Sequence, residues 1–218
     1  MKFRALVVAA VMAASIVPVS AKQYVVSEIK GNDGLSVTYK YNRDGTIKSY
    51  VSDTGWKEKV SFAYKKGRVT ERRDSIGKTS YEYRKGKVYK SKDSNRTCTY
   101  VYKKGRITIK SVSKSKIRAE EYLGVKDGRL TSHNDMKYSY DKKGYPAKAK
   151  GAASSVVYKN TYKKGLLVKI KSNVKNYTSF KRTYTVKYKT AGTLSEEAKR
   201  QQNAILGKTY LPYLSKVQ

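Results

Sequence analysis

The sequence has few of the residues that build disulfides, metal centres and many active sites. Its 218 residues include a single cysteine, Cys98, and a single histidine, His133. One cysteine cannot form an internal disulfide, and a structural zinc site needs about four ligands. Cys98 lies in Thr97-Cys98-Thr99-Tyr100, where a small, half-buried strand residue is expected rather than a nucleophile. The composition therefore predicts no metal and no cofactor.

Acidic residues are also scarce, with 16 Asp plus Glu against 49 Lys plus Arg. Glu120 and Glu121 are adjacent, and adjacent strand residues point to opposite faces. Glycoside hydrolysis instead needs two carboxyl groups that converge on one bond. His133 has Asp135 nearby in the sequence, but no serine stands out as a nucleophile. The sequence predicts a protein that is not an enzyme.

Long apolar runs are absent after the first 21 residues. Met1-Lys2-Phe3-Arg4 gives a basic start, an apolar run follows over 5–17, and Val19-Ser20-Ala21 ends the segment with small residues. This layout predicts a signal peptide over 1–21, cleaved after Ala21. The run is too short for a membrane anchor, which needs about 20 apolar residues. We expect an exported protein without a transmembrane anchor after processing, in the periplasm, at the cell surface or outside the cell.

Tyrosine, by contrast, is abundant and recurs in one short phrase. The phrase is clearest as Tyr100-Val101-Tyr102-Lys103-Lys104-Gly105-Arg106-Ile107. Imperfect copies end at glycines spaced 16 to 23 residues apart: Gly45, Gly67, Gly86, Gly105, Gly128, Gly144 and Gly165. A fixed period near twenty residues indicates a repeat architecture.

Between these glycines, β-branched and aromatic residues alternate with polar ones, which is typical of strands. Glycine supplies the positive φ that a three- or four-residue hairpin loop needs. The predicted fold is therefore all-β: an antiparallel meander of repeated β-hairpins over 22–192, forming an elongated, twisted or curled sheet. Closure into a membrane barrel is not expected, because lysine occurs at both odd and even strand positions and therefore on both faces of the sheet.

The strand register stays open. A three-residue loop over 103–105 would place Tyr102 opposite Arg106, whereas a loop that includes Arg106 would place Tyr102 opposite Ile107. In either register the paired tyrosines share one face of the sheet. They either bury their rings as structural residues or form an exposed aromatic surface for stacking. The candidate aromatic surface comprises Tyr81, Tyr83, Tyr100, Tyr102, Tyr138 and Tyr140.

One copy of the phrase, Tyr138-Ser139-Tyr140-Asp141-Lys142-Lys143-Gly144, resembles the YD repeat of Rhs-type and other secreted bacterial β-repeat proteins. Lys126-Asp127-Gly128-Arg129-Leu130 is similar to the Gly-Arg-Leu that follows the tyrosine in such repeats. The resemblance covers about 35–170. It implies a long meandering sheet, sometimes curled into a shell, and no catalytic residues.

After residue 192 the pattern changes. Thr193-Leu194-Ser195-Glu196 fits a helix-capping box, the stretch 198–206 favours a helix, and Gly207 is a suitable stop. We expect this helix to cover the last repeat together with Leu211, Tyr213 and Leu214, because repeat stacks need a closed end. The tail from Lys208 is expected to be loosely ordered. The segment 193–218 is thus predicted to be a capping helix and tail.

The charge suggests a partner. The formal net charge is +33, and 142–195 contains no Asp or Glu. A field of this kind attracts polyanions, although lysine also protects sheet edges and keeps proteins soluble. The predicted function is non-enzymatic binding of an anionic polymer (teichoic acid, lipopolysaccharide, acidic glycan or extracellular DNA). The alternative is a structural or protein-interaction module of the cell envelope. The candidate polyanion-binding residues are Lys142, Lys143, Lys159, Lys163, Lys164, Lys169, Lys171, Lys175, Lys181 and Arg182.

Overall fold

The computed structural model describes residues 22–176 and 179–214. The predicted signal peptide lies outside the described residues. The all-β prediction is confirmed, as is the single short helix near the C-terminus. The strands are β1 Gln23–Gly31, β2 Ser36–Tyr41, β3 Ile47–Asp53, β4 Lys57–Lys65, β5 Arg68–Asp74, β6 Gly77–Arg84, β7 Lys87–Lys92, β8 Arg96–Lys103, β9 Arg106–Ser113, β10 Arg118–Lys126, β11 Arg129–His133, β12 Met136–Tyr140, β13 Pro146–Lys150, β14 Ser155–Lys163, β15 Leu166–Lys175 and β16 Ser179–Ala191; the helix α1 is Glu196–Ile205.

The sheet closes on itself. Each strand pairs antiparallel with the next in sequence, and β1 also pairs antiparallel with β16, with Tyr24 opposite Thr190. The meander is confirmed, but the expected open, elongated sheet is wrong: the strands form a closed 16-strand barrel. Closure leaves no edge strand with unpaired backbone groups. The pairing of β1 with β16 therefore replaces the edge protection that lysine was expected to provide.

Five of the seven loops at the repeat glycines are tighter than predicted, whereas the loops 42–46 and 141–145 are longer. Lys103 lies opposite Arg106 and Tyr102 opposite Ile107, so the pairing of the second register is correct, but Arg106 belongs to β9 and the loop has only two residues. All seven repeat glycines have positive φ, from 70° to 81°. In four of these loops the residue before the glycine also has positive φ: Lys66, Lys85, Asp127 and Lys164. Two consecutive residues in this region match the type I′ turn, whose twist fits that of the flanking strands.

A recurring hydrogen bond explains why tyrosine precedes these turns. Tyr83 lies on β6, and its hydroxyl donates to the backbone carbonyl of Val69 on β5 at 2.8 Å. Val69 begins a bulge, because it pairs with Tyr64 while Glu71 pairs with Ala63. The same contact joins Tyr41 to Val26, Tyr64 to Ile47, Tyr102 to Val88, Tyr140 to Leu130 and Tyr188 to Leu167. The repeated tyrosine therefore ties each hairpin to its predecessor.

The C-terminal segment fills the barrel instead of covering a last repeat. Helix α1 begins after Ser195, whose Oγ accepts from the Ala198 N–H at 3.2 Å, so the cap lies two residues later than the predicted Thr193. Gly207 ends the helix with φ 72°, as predicted. Leu211, Tyr213 and Leu214 are buried in the main core. We call residues 196–214 the plug.

The plug crosses one mouth of the barrel and then enters the lumen. At its start, the Ser195 N–H donates to the Asp44 carbonyl in the turn after β2. At the other side, the Tyr210 N–H donates to the Gly128 carbonyl in the turn after β10. Tyr213 then packs edge-on against Phe62 and Tyr81, with ring centroids 6.4 and 5.9 Å apart. We call the mouth that holds the repeat glycines the glycine rim, and the opposite mouth the far rim.

Candidate functional site

The predicted tyrosine rows face the inside of the barrel. All six predicted tyrosines line internal cavities: Tyr81, Tyr100 and Tyr138 a larger one, Tyr83 and Tyr102 a smaller one, and Tyr140 a third together with Tyr138. Tyr81 is buried and the other five are half-buried. The rings therefore form a lumen wall, not an outer aromatic surface.

The plug separates the two larger cavities of the lumen, which we call the rim chamber and the deep chamber. Tyr210, Pro212 and Tyr213 contribute to the walls of both. The rim chamber, of about 290 Å³, lies toward the glycine rim between Tyr83, Tyr102, Arg106 and the plug residue Arg200. The deep chamber, of about 370 Å³, extends toward the far rim, where its wall includes Thr79, Asp93 and Arg96.

The deep chamber combines aromatic walls with a few polar groups. Tyr81, Tyr100, Ile109, Leu123 and Tyr138 supply ring and apolar surface. The Ser91 hydroxyl lies 3.1 Å from the Tyr100 hydroxyl on the same wall. Binding sites for small molecules are typically cavities of about 300–1,000 Å³ lined by aromatic side chains with a few convergent polar groups. The deep chamber has this size and character.

Arg72 is the most unusual polar group of the deep chamber. Its side chain projects from β5 into the lumen and is only 3% exposed. One guanidinium nitrogen, Nη1, contacts Asp74, but Nε has no hydrogen-bond partner among the described residues. Burial lowers the pKa of Arg72, but hydrogen bonding to Tyr50 and the charge of Asp74 outweigh it and raise the pKa above its ordinary value. Arg72 therefore keeps its positive charge beside the chamber, while its Nε is enclosed by the protein.

Glu121 and His133 meet on the same wall. The His133 Nε2 contacts a Glu121 carboxylate oxygen, whereas Asp135 instead accepts from the Ala152 N–H at 3.1 Å. Glu120 points outward and pairs with Lys110 at 3.1 Å. The prediction that Glu120 and Glu121 face opposite sides is confirmed. The acidic neighbour of His133 comes from β10, not from the sequence-adjacent Asp135.

Cys98 also lines the deep chamber. It is half-buried, as the sequence predicted, and burial raises the pKa of its thiol, to which Asp93 and Glu121 add. A reactive cysteine needs a lowered pKa, because the thiolate is the nucleophile. The environment of Cys98 therefore favours an unreactive thiol.

The predicted polyanion-binding residues lie on the other side of the barrel wall. Lys159, Lys169, Lys171, Lys175 and Lys181 are exposed on the outer faces of β14 to β16, and Lys142, Lys143, Lys163 and Lys164 lie at the glycine rim. Arg182 lies opposite Ser172, on the face of β16 that points into the barrel. Its Nε lies 3.1 Å from a carboxylate oxygen of Asp33.

The predicted function is corrected by this arrangement. It assigned polymer binding to lysine-rich and tyrosine-rich surfaces of an elongated, twisted or curled sheet. Closure of the 16-strand barrel separates the two sets, because the wall of the barrel stands between the lysines and the tyrosines. The prediction of polymer binding through such a sheet surface is therefore wrong.

The described ranges, 22–176 and 179–214, contain no group of three or more His, Cys, Asp or Glu side chains placed to hold a metal ion. They also contain no helix long and apolar enough to cross a membrane.

Comparison with known proteins gives little for this chain. No protein-family model matches it, and no curated protein matches it. Among solved structures, it is similar to a porin-like protein from Bacteroides vulgatus ATCC 8482, with 16% sequence identity and a TM-score of 0.41 over 76% of this chain and 99% of that chain. The resemblance to YD-repeat proteins stays a prediction. We therefore derive the function from the residues of this chain.

Proposed function

We propose that the chain is an exported, non-enzymatic barrel that binds a small organic acid with an aromatic or apolar body in the deep chamber. The observation that carries the proposal is Arg72, a buried, positively charged side chain that lines a cavity of about 370 Å³ with aromatic walls. A carboxylate or sulfonate group of the ligand would be attracted to this guanidinium.

The energetics favour an occupied chamber. A hydrogen bond between a ligand oxygen and a charged group such as the Arg72 guanidinium contributes about 1.5–3 kcal/mol. Stacking of a ligand ring against Tyr81 or Tyr100 would add about 0.5–1.5 kcal/mol beyond the buried area.

The charge of the whole protein supports an anionic ligand. The net charge of +33 creates a positive potential that raises the local concentration of small anions. Arg96 provides a second guanidinium at the far-rim end of the chamber. The predicted signal peptide supports export, and the exposed lysines along β14 to β16 favour water around that part of the wall.

Binding without catalysis is supported by the surroundings of the chamber's reactive groups. Glu121 and His133 contact each other, and the raised pKa of Cys98 disfavours a thiolate. The chamber therefore offers donors and rings that hold a ligand, with no activated nucleophile beside them.

The proposal is tested with the fluorescent probe 1-anilinonaphthalene-8-sulfonate, an aromatic anion, titrated into the purified protein. Arg72→Lys keeps a positive charge beside Asp74 but replaces the planar fork of donors by a single ammonium group. We expect the loss of a charged hydrogen bond of about 1.5–3 kcal/mol, which weakens binding roughly 10- to 100-fold. Arg106→Lys, in the rim chamber, is the matched control and should bind as the parent does.

Two results would overturn the proposal. One is the absence of saturable binding in the parent. The other is equal binding by the parent and Arg72→Lys, which would place the probe elsewhere. Retained thermal stability of Arg72→Lys shows that the variant is folded and that the comparison is valid.

A further inference from the structure

The far rim presents apolar side chains at the tips of separate hairpins. Trp56, in the turn after β3, is 88% exposed; Ile76, after β5, is 75% exposed; and Ile117, after β9, is 68% exposed. No other large apolar side chain in the described part of the chain is more than half exposed. Three of the turns at one mouth therefore each hold one strongly exposed apolar residue.

The glycine rim has the opposite character. Four of its five two-residue loops have an exposed lysine at the tip (Lys66, Lys85, Lys104 and Lys164), and the fifth has the exposed Asp127. Since both rims are made of hairpin loops on the same barrel, exposure of loop tips alone does not explain the apolar residues. Most two-residue loops of the glycine rim thus have cationic tips, whereas the three strongly exposed apolar residues of the described part of the chain all lie at the far rim.

Cationic residues stand directly beside the apolar tips. Lys57 follows Trp56, and Lys116 and Arg118 flank Ile117; all three are exposed. The acidic residues of these turns are turned toward their own backbone: Asp53 accepts from the Gly55 N–H, and Asp74 accepts from the Ile76 and Gly77 N–H groups. These three turns therefore present apolar side chains close to exposed cationic residues, while the exposed Asp33 and Asp135 lie in other turns of the far rim.

We propose that the far rim docks on the surface of an anionic phospholipid bilayer, with Trp56, Ile76 and Ile117 inserted among the headgroups. Tryptophan favours the membrane–water interface, where its ring is buried and its N–H stays hydrated. Lysine and arginine beside it are attracted to anionic headgroups. A protein partner would instead require a contiguous interface of about 800 Å² per side, whereas single side chains on separate turns can each enter a fluid headgroup layer independently.

Docking in this orientation would turn the deep chamber toward the bilayer, because its wall reaches the far rim at Asp93 and Arg96. The glycine rim and the plug would face the water. This orientation does not depend on whether the chamber binds an organic acid.

Trp56 is the only tryptophan of the chain, so its fluorescence reports directly on the far rim. We would add the protein to vesicles of equal parts phosphatidylcholine and phosphatidylglycerol, and measure the emission maximum and its quenching by brominated lipid. We expect a blue shift and quenching. Ile76→Ser and Ile117→Ser should each weaken vesicle binding about tenfold or more, because each removes a buried apolar side chain.

The matched control is the triple change Lys66→Gln, Lys104→Gln and Lys164→Gln at the glycine rim, which lowers the net charge but leaves the apolar tips. It should keep the blue shift. Vesicle binding without a blue shift or quenching of Trp56 would overturn the proposal, as would vesicle binding that the isoleucine changes leave intact. Arg72→Lys should bind vesicles as the parent does, so a failure of docking and a failure of ligand binding are distinguishable.

Discussion

Replacing Gln201 by leucine should destabilise the barrel through a single lost backbone contact. Gln201 lies on helix α1 and is 1% exposed. Its Oε1 accepts from the Ile47 N–H at 2.8 Å, and its Nε2 donates to the Tyr64 hydroxyl at 3.1 Å. The Tyr64 hydroxyl in turn donates to the Ile47 carbonyl at 2.6 Å. Gln201 and Tyr64 therefore satisfy both backbone groups of one bulge residue.

The magnitude follows from the group left unsatisfied. Leucine has a similar size, so the change leaves no large cavity, but it leaves the buried Ile47 N–H without an acceptor at a cost of about 1–3 kcal/mol. For a chain of this length, 1 kcal/mol lowers the melting temperature by about 2–4 °C. We therefore expect Gln201→Leu to melt about 2–12 °C below the parent. Gln202→Leu should behave alike, because Gln202 accepts from the Val26 N–H at 2.8 Å.

The assay is thermal and urea unfolding of Gln201→Leu beside Lys199→Ala. Lys199 lies on the exposed side of the same helix and pairs with Glu196 at 2.6 Å. Exposed ion pairs contribute about 0–1 kcal/mol, so this control should unfold close to the parent. Equal unfolding midpoints for the two variants would refute the reasoning that the glutamines anchor the plug to the barrel.

Three further predictions concern the repeat and the plug. Tyr102→Phe should cost about 0.5–1.5 kcal/mol, because it removes the hydroxyl that binds a bulge carbonyl, whereas Tyr122→Phe, exposed on the outer wall, should cost little; equal urea midpoints would contradict this. Gly67→Ala forces alanine to φ 70° and should destabilise by about 1 kcal/mol or more, whereas Gly192→Ala has open space and no positive φ and should not. Burial raises the pKa of Glu197, so stability present at low pH is lost as pH rises past about 4.3, the ordinary pKa. The melting temperature of Glu197→Gln should fall less than that of the parent as the pH rises through this range. Parallel curves of melting temperature against pH for the two proteins would contradict the predicted sign of the pH dependence.

The local features of the fold could be predicted from the sequence because each depends on a few neighbouring residues. Positive φ at a turn depends on a local glycine and not on long-range contacts, so Gly67 and Gly105 correctly indicated hairpin loops. Because Tyr100 and Tyr102 are two residues apart in a strand, the sequence predicted correctly that they share one face. Gly207 follows the end of the helix because glycine readily adopts the left-handed conformation of that position.

Closure of the barrel could not be predicted in this way. It depends on pairing between β1 and β16, for instance Tyr24 opposite Thr190, and no local pattern records a contact between opposite ends of the chain. The predicted loop was also one residue too long, because Lys66 adopts positive φ without being a glycine. That conformation is set by the two-residue hairpin and not by the side chain.

The candidate site could not be predicted from the sequence for a related reason. Arg72 and Arg73 are adjacent, and only one of them faces the lumen. The bulge beside Tyr64 shifts the strand by one residue, and a shift of one residue exchanges the two faces. Arg72 consequently lies opposite Phe62, inside the barrel. Composition shows many cations, but only the register identifies the one that is buried beside a cavity.

The most direct measurement of the central claim uses Cys98, the only cysteine of the chain, which lines the deep chamber beside Tyr100. The rate of Cys98 alkylation by N-ethylmaleimide would be followed by intact mass, with and without saturating 1-anilinonaphthalene-8-sulfonate. A ligand held in the deep chamber predicts that the probe slows alkylation in the parent and protects far less in Arg72→Lys. An alkylation rate that the bound probe leaves unchanged would place the probe outside the deep chamber and contradict the account.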